Sequence, residues 1–103
     1  MYAILFDIDI SVAEQNCGVP YNQVSDKITE LLQGYDFVQE QEGVYFSKTA
    51  SKQETINAIE ALSQKDWFLL SVKKVQTFKI ENWNDFTPQI DKKMQEIVFQ
   101  ISR

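Results

Sequence analysis

The sequence predicts an α+β domain in which helices cover one face of a four-stranded antiparallel sheet. Three patterns indicate this fold class: alternating apolar residues at the start of the chain, stretches with apolar residues at helical spacing, and a turn signal between two short strands. The chain has 103 residues, which is enough for one hydrophobic core and too few for two. We therefore expect a single domain over residues 1–103, with a βαββαβ core in 1–86 and a C-terminal helix in 87–103.

The segment from Tyr2 to Ile10 is predicted to be a central strand with one wholly apolar face. The residues of that face alternate along the segment: Tyr2, Ile4, Phe6, Ile8 and Ile10. The opposite face begins apolar and becomes acidic at Asp7 and Asp9, toward the C-terminal end of the strand. We expect the first face to pack against the core and the acidic end to lie outside it.

The first helix is predicted to follow a polar loop over residues 11–18. Pro20 suits the first turn of this helix, and Gly34 suits a C-terminal cap. Between these two residues the apolar side chains recur at helical spacing: Tyr21, Val24, Ile28, Leu31 and Leu32.

The middle of the chain predicts a hairpin and a second helix. Two short strands, Tyr35 to Gln41 and Val44 to Ser47, flank the turn signal Glu42-Gly43. Ser51 and Glu54 then form a capping box that opens the helix. The buried stripe of this helix is predicted to consist of Ile56, Ile59 and Leu62.

The last third of the chain predicts an edge strand and a third helix. An aromatic connection at residues 67–69 leads into a strand from Val72 to Glu81, in which neither face is uniformly apolar, as is typical of an edge. Thr87-Pro88 is an N-cap and first-turn pair, so we expect a helix from Thr87 to about Ser102. Its apolar residues are Ile90, Met94, Ile97, Val98 and Ile101.

The predicted order β-α-β-β-α-β, followed by a terminal helix, is that of the ferredoxin-like fold. In this arrangement two helices cover one face of the sheet, and the other face is open. An open sheet face on so small a domain indicates a partner, a ligand or a second copy of the chain.

Composition excludes several classes of function. With 10 basic and 15 acidic residues the net charge is −5, which disfavours a protein that coats nucleic acid non-specifically, and no DNA partner is expected. The chain has no histidine, which excludes a Ser-His-Asp triad, a histidine zinc site and a histidine-based ribonuclease. One cysteine excludes a disulfide framework within one chain. The apolar start carries Asp7 and Asp9 and no basic residues, so we expect neither a signal peptide nor a membrane partner, and a cytoplasmic location.

Several segments of the sequence match the pattern of one protein family. They are Met1 to Asp7, Gly18 to Asn22, Gly43 to Tyr45, Leu62 to Gln64, Trp67-Phe68, Ser71-Val72, Phe78 to Glu81 and Asp85 to Thr87. Through them the chain resembles the virulence-associated protein D (VapD) family from Met1 to about Ile90. The opening Met-Tyr-Ala-x-x-Phe-Asp joined to a distant Asp-Phe-Thr is the most specific part of this resemblance.

The resemblance implies a function and partners. Members of the family are ferredoxin-like dimers related to the small CRISPR-associated ferredoxin-like nucleases; they are described as endoribonucleases, and some are toxins of toxin–antitoxin pairs. We therefore expect a homodimer that cleaves single-stranded RNA and that has an antitoxin protein as a further partner. The alternative is a non-catalytic dimerisation or protein-binding module that kept the nuclease fold.

The chain departs from the family pattern at positions that could affect activity. Where family members tend to have a serine, an Arg-Asp pair and a second arginine, this chain has Gly43, Lys73-Lys74 and Gln76. Lysine lacks the bidentate fork with which arginine binds phosphate, and glutamine carries no charge. We expect these losses to weaken the activity.

Asp7 is the predicted catalytic residue. It lies on the non-core face toward the end of the first strand, and the resemblance implies that the matching aspartate is the one related nucleases use. In a two-fold dimer packed through the open face, two Asp7 carboxylates could approach each other and either hold Mg²⁺ or share a proton. Alternatively, Asp7 is a polar residue that ends a strand and bonds to nearby backbone.

Six further residues are candidates for catalysis or RNA contact, each with a structural alternative: Asp9, Tyr45, Ser47, Lys73, Lys74 and Phe78. Asp9 shares a face with Asp7, or is a solvated strand end. The lysines and Phe78 could bind phosphate and stack on a base, or the lysines protect an edge strand, although Lys73 and Lys74 point to opposite faces. The hydroxyls of Tyr45 and Ser47 could reach a transition state, or Tyr45 packs at the rim of the core.

The absence of histidine leaves two ways to cut RNA. A metal ion, Mg²⁺, could activate water, or the 2′-hydroxyl could attack with help from lysine or tyrosine and no cofactor. The first way can leave a 3′-hydroxyl and the second leaves a 2′,3′-cyclic phosphate. The sequence does not distinguish them.

Overall fold

The computed structural model describes residues 1–101 of the chain. Nine elements follow one another: β1 (Tyr2–Ile8), α1 (Ile10–Cys17), α2 (Tyr21–Gln33), β2 (Val38–Gln41), β3 (Val44–Ser47), α3 (Lys52–Ser63), α4 (Asp66–Ser71), β4 (Val72–Lys79) and α5 (Thr87–Ile101). The predicted end of the C-terminal helix at about Ser102, and the final residue of the predicted domain, lie outside the described residues.

The four strands form one antiparallel sheet in the order β2-β3-β1-β4. Strand β1 is therefore central, with β3 on one side and β4 on the other. In the register, Ile4 is paired with both Tyr45 and Thr77, and Leu5 with both Val44 and Gln76. The sheet and its helices confirm the predicted α+β, ferredoxin-like fold, and β4 lies at an edge as expected.

The core lies between the sheet and the helices on one of its faces. Buried residues of α2 and α3 cover the sheet: Val24, Ile28, Leu32, Thr55, Ala58 and Leu62. From β1 they meet Ile4 and Ile8, as the alternation predicts. The prediction that Ile10 belongs to the same face is wrong, because β1 ends at Ile8 and Ile10 begins a helix, where it is 50% exposed.

The polar loop predicted over residues 11–18 is instead the helix α1. The Asp9 carboxylate caps its N-terminus by accepting a hydrogen bond from the Val12 backbone N–H at 3.1 Å. At the other end Gly18 has φ 77° and donates its N–H to the Glu14 carbonyl. Ala13 is the one buried residue of this helix. So small a buried face leaves almost no apolar periodicity in the sequence, which explains why the pattern did not reveal it.

Two further predictions of local structure need correction. The aromatic connection at residues 67–69 is part of the short helix α4, which buries Phe68. In α3 the capping box is confirmed, because Ser51 accepts a hydrogen bond from the Glu54 N–H at 3.0 Å. The buried stripe of α3 is rotated from the predicted one, however, and Ile56 is 41% exposed.

The apolar stripe of helix α5 is exposed to solvent. Ile90, Met94 and Ile97 are each more than half exposed. The described residues extend over 56 × 33 × 20 Å. Among them no helix is long and apolar enough to cross a membrane.

We predict that Gly43→Ala destabilises the fold strongly. Gly43 has φ 74°, and a Cβ at this position would lie 2.5 Å from the Phe6 carbonyl oxygen, so both the backbone and the sheet would have to shift. We expect a loss of at least about 2 kcal/mol in the free energy of unfolding, measured by urea denaturation.

Gly18→Ala is the matched control, because Gly18 has φ 77° but no atom within 4 Å of the added Cβ. Gly18→Ala should lower the free energy of unfolding by about 1 kcal/mol, which is the cost of a left-handed backbone conformation for alanine. Equal losses in the two variants would contradict the proposed close approach of Gly43 to β1.

Candidate active site

Asp7 lies near the C-terminal end of β1, on the sheet face that the helices leave open. Its side chain is exposed, and in the register it is directly opposite Lys74 on β4. The two residues share a shallow recess of about 190 Å³ with Leu5, Glu42, Val44 and Gln76. A carboxylate and an ammonium group are thus presented together to the solvent.

The turn between β2 and β3 forms one wall of this recess. The Phe6 backbone N–H donates a hydrogen bond to the Gly43 carbonyl oxygen at 2.9 Å, which fixes the turn against β1 one residue before Asp7. Glu42 precedes this contact and therefore becomes a second carboxylate in the Asp7 recess. Sequence reasoning treated Glu42 only as a turn residue. The available signal was an acidic residue beside the turn glycine, which does not by itself indicate what the turn will touch.

Tyr21, the first residue of α2, reaches this turn. Its phenol donates a hydrogen bond to Glu42 Oε1 at 2.7 Å, while its backbone N–H donates to Glu14 Oε2 at 3.0 Å. Burial, then the hydrogen bond and the negative charge of Glu42, raise the pKa of Tyr21 well above its usual value, and the charge of Asp7 adds to this. Tyr21 therefore stays protonated at neutral pH and acts as a hydrogen-bond donor.

Strand β4 presents different residues to the two faces of the sheet. On the open face, Lys74 is opposite Asp7, Gln76 opposite Leu5, and Phe78 opposite Ala3. Lys73 falls at the register irregularity beside the end of β1, between the paired residues Val72 and Lys74. Two of the departures from the family pattern, Lys74 and Gln76, therefore line the recess itself.

Asp9 does not join Asp7 in a two-carboxylate site within the chain. Strand β1 ends at Ile8, and the Asp9 side chain bonds to the Val12 backbone as the N-cap of α1. This contact gives Asp9 a structural role that the sequence analysis did not assign to it.

Tyr45 and Ser47 lie on the opposite face of the sheet from Asp7, under the helices. Tyr45 is 1% exposed and its hydroxyl is 2.7 Å from Thr29 Oγ1, while Ser47 Oγ accepts a hydrogen bond from the Ala50 N–H at 2.9 Å. The structure therefore brings Lys74 to Asp7 and separates both hydroxyl groups from it.

Within residues 1–101 no group of three or more His, Cys, Asp or Glu side chains could hold a metal ion. The Asp7 carboxylate alone still suits Mg²⁺, which is commonly bound by one or two carboxylates together with water and substrate phosphates. Asp7 would then need further oxygen ligands from the substrate or from a second copy of the chain.

An apolar patch adjoins the recess on the open face. Trp83 packs edge-on against Phe46, with ring centroids 4.5 Å apart. Together with Phe78, Leu5 and Val44 these rings line a second recess of about 490 Å³. Phe78 and Trp83 are 46% and 47% exposed, so the patch is open to solvent along much of the sheet.

Fold and site together define a class of protein: a small ferredoxin-like domain with an exposed aspartate at the end of its first strand, facing a lysine on the edge strand. No protein-family model matches the chain, but curated relatives do. It is 39% identical over 87 residues to the endoribonuclease VapD of Dichelobacter nodosus, covering 84% of this chain and 94% of that one. It is 36% identical over 89 residues to the endoribonuclease VapD of Helicobacter pylori, covering 84% and 95%. The endoribonuclease VapD 1 of Riemerella anatipestifer is 33% identical over 84 residues, covering 82% and 94%. The chain belongs to the VapD family.

We predict that Tyr45→Phe removes part of the loss of stability at alkaline pH. Burial raises the pKa of Tyr45, more than the Thr29 hydrogen bond lowers it. The folded protein thus holds a proton that the unfolded chain releases above about pH 10. This contribution to stability is complete below that pH and disappears as the pH rises through the folded-state pKa.

The measurement is the free energy of unfolding between pH 8 and 12, from urea denaturation with far-UV circular dichroism. The phenylalanine ring keeps the stacking on Phe6, so at neutral pH the variant should lose only the hydroxyl contact, about 1 kcal/mol. The native protein should then lose stability more steeply above pH 10 than the variant, which keeps the contribution of Tyr21. Parallel curves would contradict the assignment.

Proposed function

We propose that this protein is an endoribonuclease that cleaves single-stranded RNA, with Asp7 as its central catalytic residue. The observation that carries the proposal is the exposed Asp7–Lys74 pair in an open recess, where an RNA strand can reach both groups. The names of the curated relatives, each an endoribonuclease, support the same reaction.

Each group of the pair has a chemical task in this proposal. The Lys74 ammonium attracts the scissile phosphate and offsets the negative charge that develops on it. The Asp7 carboxylate would either hold Mg²⁺, which would supply an activated water molecule, or exchange a proton directly. Because the chain contains no histidine, acid–base work falls to carboxylate, lysine or tyrosine groups.

We predict that purified protein cleaves a mixed-sequence single-stranded RNA and that Asp7→Asn lowers the rate by at least about 100-fold. Asparagine keeps the size of the side chain but neither binds Mg²⁺ as strongly nor takes up a proton. Asp7 is exposed, so the variant should unfold at the temperature of the native protein. Parallel reactions with Mg²⁺ and with EDTA, and analysis of the product ends, distinguish a metal-dependent from a metal-free reaction.

Equal cleavage by both proteins would place the activity elsewhere or in a contaminant. No cleavage by either would favour the alternative function, a binding module that kept the nuclease fold.

The missing arginines support a further element of the proposal, which is that the activity is weaker than in relatives. The test is to compare the RNA cleavage rate of this protein with that of the Dichelobacter nodosus relative in the same assay. We expect the lower rate for this protein.

We propose that the active form is a homodimer packed through the open sheet face. The apolar patch of Phe46, Phe78 and Trp83 supports this, because adjoining apolar side chains exposed on one face mark an interaction surface. In a two-fold dimer of this kind the two Asp7 carboxylates could approach each other, and the second copy could complete a magnesium site.

We predict a dimer of two 12.0 kDa chains by light scattering at micromolar concentration, and a monomer for Phe78→Glu, which places a charge in the apolar patch. Leu70→Glu is the control, because Leu70 is also exposed but lies on α4 rather than on the open face. It should remain dimeric. A monomeric native protein would refute the dimer without affecting the proposed reaction.

We also propose that the protein acts as the toxin of a toxin–antitoxin pair, since an endoribonuclease that accepts general single-stranded RNA must be restrained in the cell. Induced expression of the native chain should slow bacterial growth, and expression of the Asp7→Asn variant should not.

A further inference from the structure

The Asp7 recess contains a second carboxylate, and the fold holds it in place through two hydrogen bonds. Glu42 lines the recess together with Asp7 and Lys74. The Gly43 carbonyl beside it is bonded to the Phe6 N–H of β1. The Glu42 carboxylate itself accepts the short hydrogen bond from the Tyr21 phenol.

Tyr21 can hold the Glu42 carboxylate in place because both its ring and its backbone are fixed. Its ring packs against the core, and its backbone N–H is bonded to the Glu14 carboxylate of α1. The phenol stays protonated at neutral pH, so it can only donate to Glu42. This donation holds a carboxylate oxygen of Glu42 at 2.7 Å from the phenol, beside the recess that Glu42 lines.

We propose that Glu42 is the proton acceptor of the Asp7 site and that Tyr21 is its positioning residue. This proposal rests on the proposed function and names a further participant in that reaction. A glutamate side chain in an exposed turn has many rotamers in water. The bond from Tyr21 selects the ones that keep the carboxylate at the recess, and this ordering is what a general base requires.

The proton balance of the step is complete with the residues present. As the attacking hydroxyl, either the RNA 2′-hydroxyl or water, forms its bond to phosphorus, its proton passes to the Glu42 carboxylate. When the 2′-hydroxyl attacks, the bond between phosphorus and the 5′-oxygen breaks and a 2′,3′-cyclic phosphate is left. When water attacks, the bond between phosphorus and the 3′-oxygen breaks and a 3′-hydroxyl is left. In either case the leaving oxygen takes a proton from the Lys74 ammonium. Glu42 and Lys74 then return to their starting states by proton exchange with solvent.

Two substitutions separate the roles. Glu42→Gln keeps an oxygen that can accept the Tyr21 hydrogen bond but removes the charge, so we expect kcat to fall by about 100-fold at nearly constant KM. Tyr21→Phe keeps the packing and removes only the hydrogen bond, so kcat should fall by about 10-fold. Glu60→Gln, which removes an exposed carboxylate on α3, is the control for net charge and should cleave as the native protein does.

The decisive measurement is the double variant. If Tyr21 acts through Glu42, Tyr21→Phe should cost nothing further in the Glu42→Gln protein, whereas a separate structural effect of Tyr21 would persist there. Native cleavage that is lost in Asp7→Asn but kept in Glu42→Gln would overturn this inference and leave the proposed function intact. Absence of cleavage by the native protein would overturn the proposed function, and this inference with it.

Discussion

The hydrogen bond from the Phe6 N–H to the Gly43 carbonyl is the contact on which both the sheet and the site depend. It is made where the β2–β3 turn meets the central strand, and in this chain the turn comes so close that a Cβ on Gly43 would lie 2.5 Å from the Phe6 carbonyl oxygen. Gly43 is bonded to Phe6, the residue before Asp7, and Glu42 is the residue before Gly43. The contact therefore brings Glu42 close to Asp7. The local geometry that completes the sheet therefore also assembles the recess.

Because the side chains of β1 alternate between the two faces of the sheet, the residues paired with them also divide into two sets, one under the helices and one on the open face. Residues paired with Ile4, such as Tyr45, face the helices, and their polar atoms are bonded within the core. Residues paired with Asp7 and Leu5, namely Lys74 and Gln76, face solvent on the other side. Since side chains of a strand alternate strictly between faces, a hydroxyl at Tyr45 cannot be brought to Asp7 without breaking the sheet.

Patterns within one element were enough to predict most of the fold. The apolar alternation of β1, the helical spacing of α2 and the capping box at Ser51 are local signals, and the corresponding elements are present. Helix α1 was missed because its buried face consists of Ala13 alone. Asp7 was predicted as a catalytic residue because strand position and a family pattern both mark it, and the structure leaves it exposed. The contact between Glu42 and Tyr21 was not predicted, since 21 positions separate them in sequence and only the tertiary structure joins them.

The charge of the whole chain and the charge of the site impose different demands on an RNA ligand. A net charge of −5 repels a polyanion at a distance, so long electrostatic contacts along the backbone are disfavoured. Among the described residues, the cation in the Asp7 recess is instead a single one, Lys74 of the edge strand β4, with Lys73 next to it in the chain. An RNA that is bound through so few phosphates releases few counterions. Its affinity for the protein should therefore depend only weakly on salt concentration. For the proposed reaction we therefore expect recognition to depend on the shape of a short RNA segment at the recess more than on long-range charge.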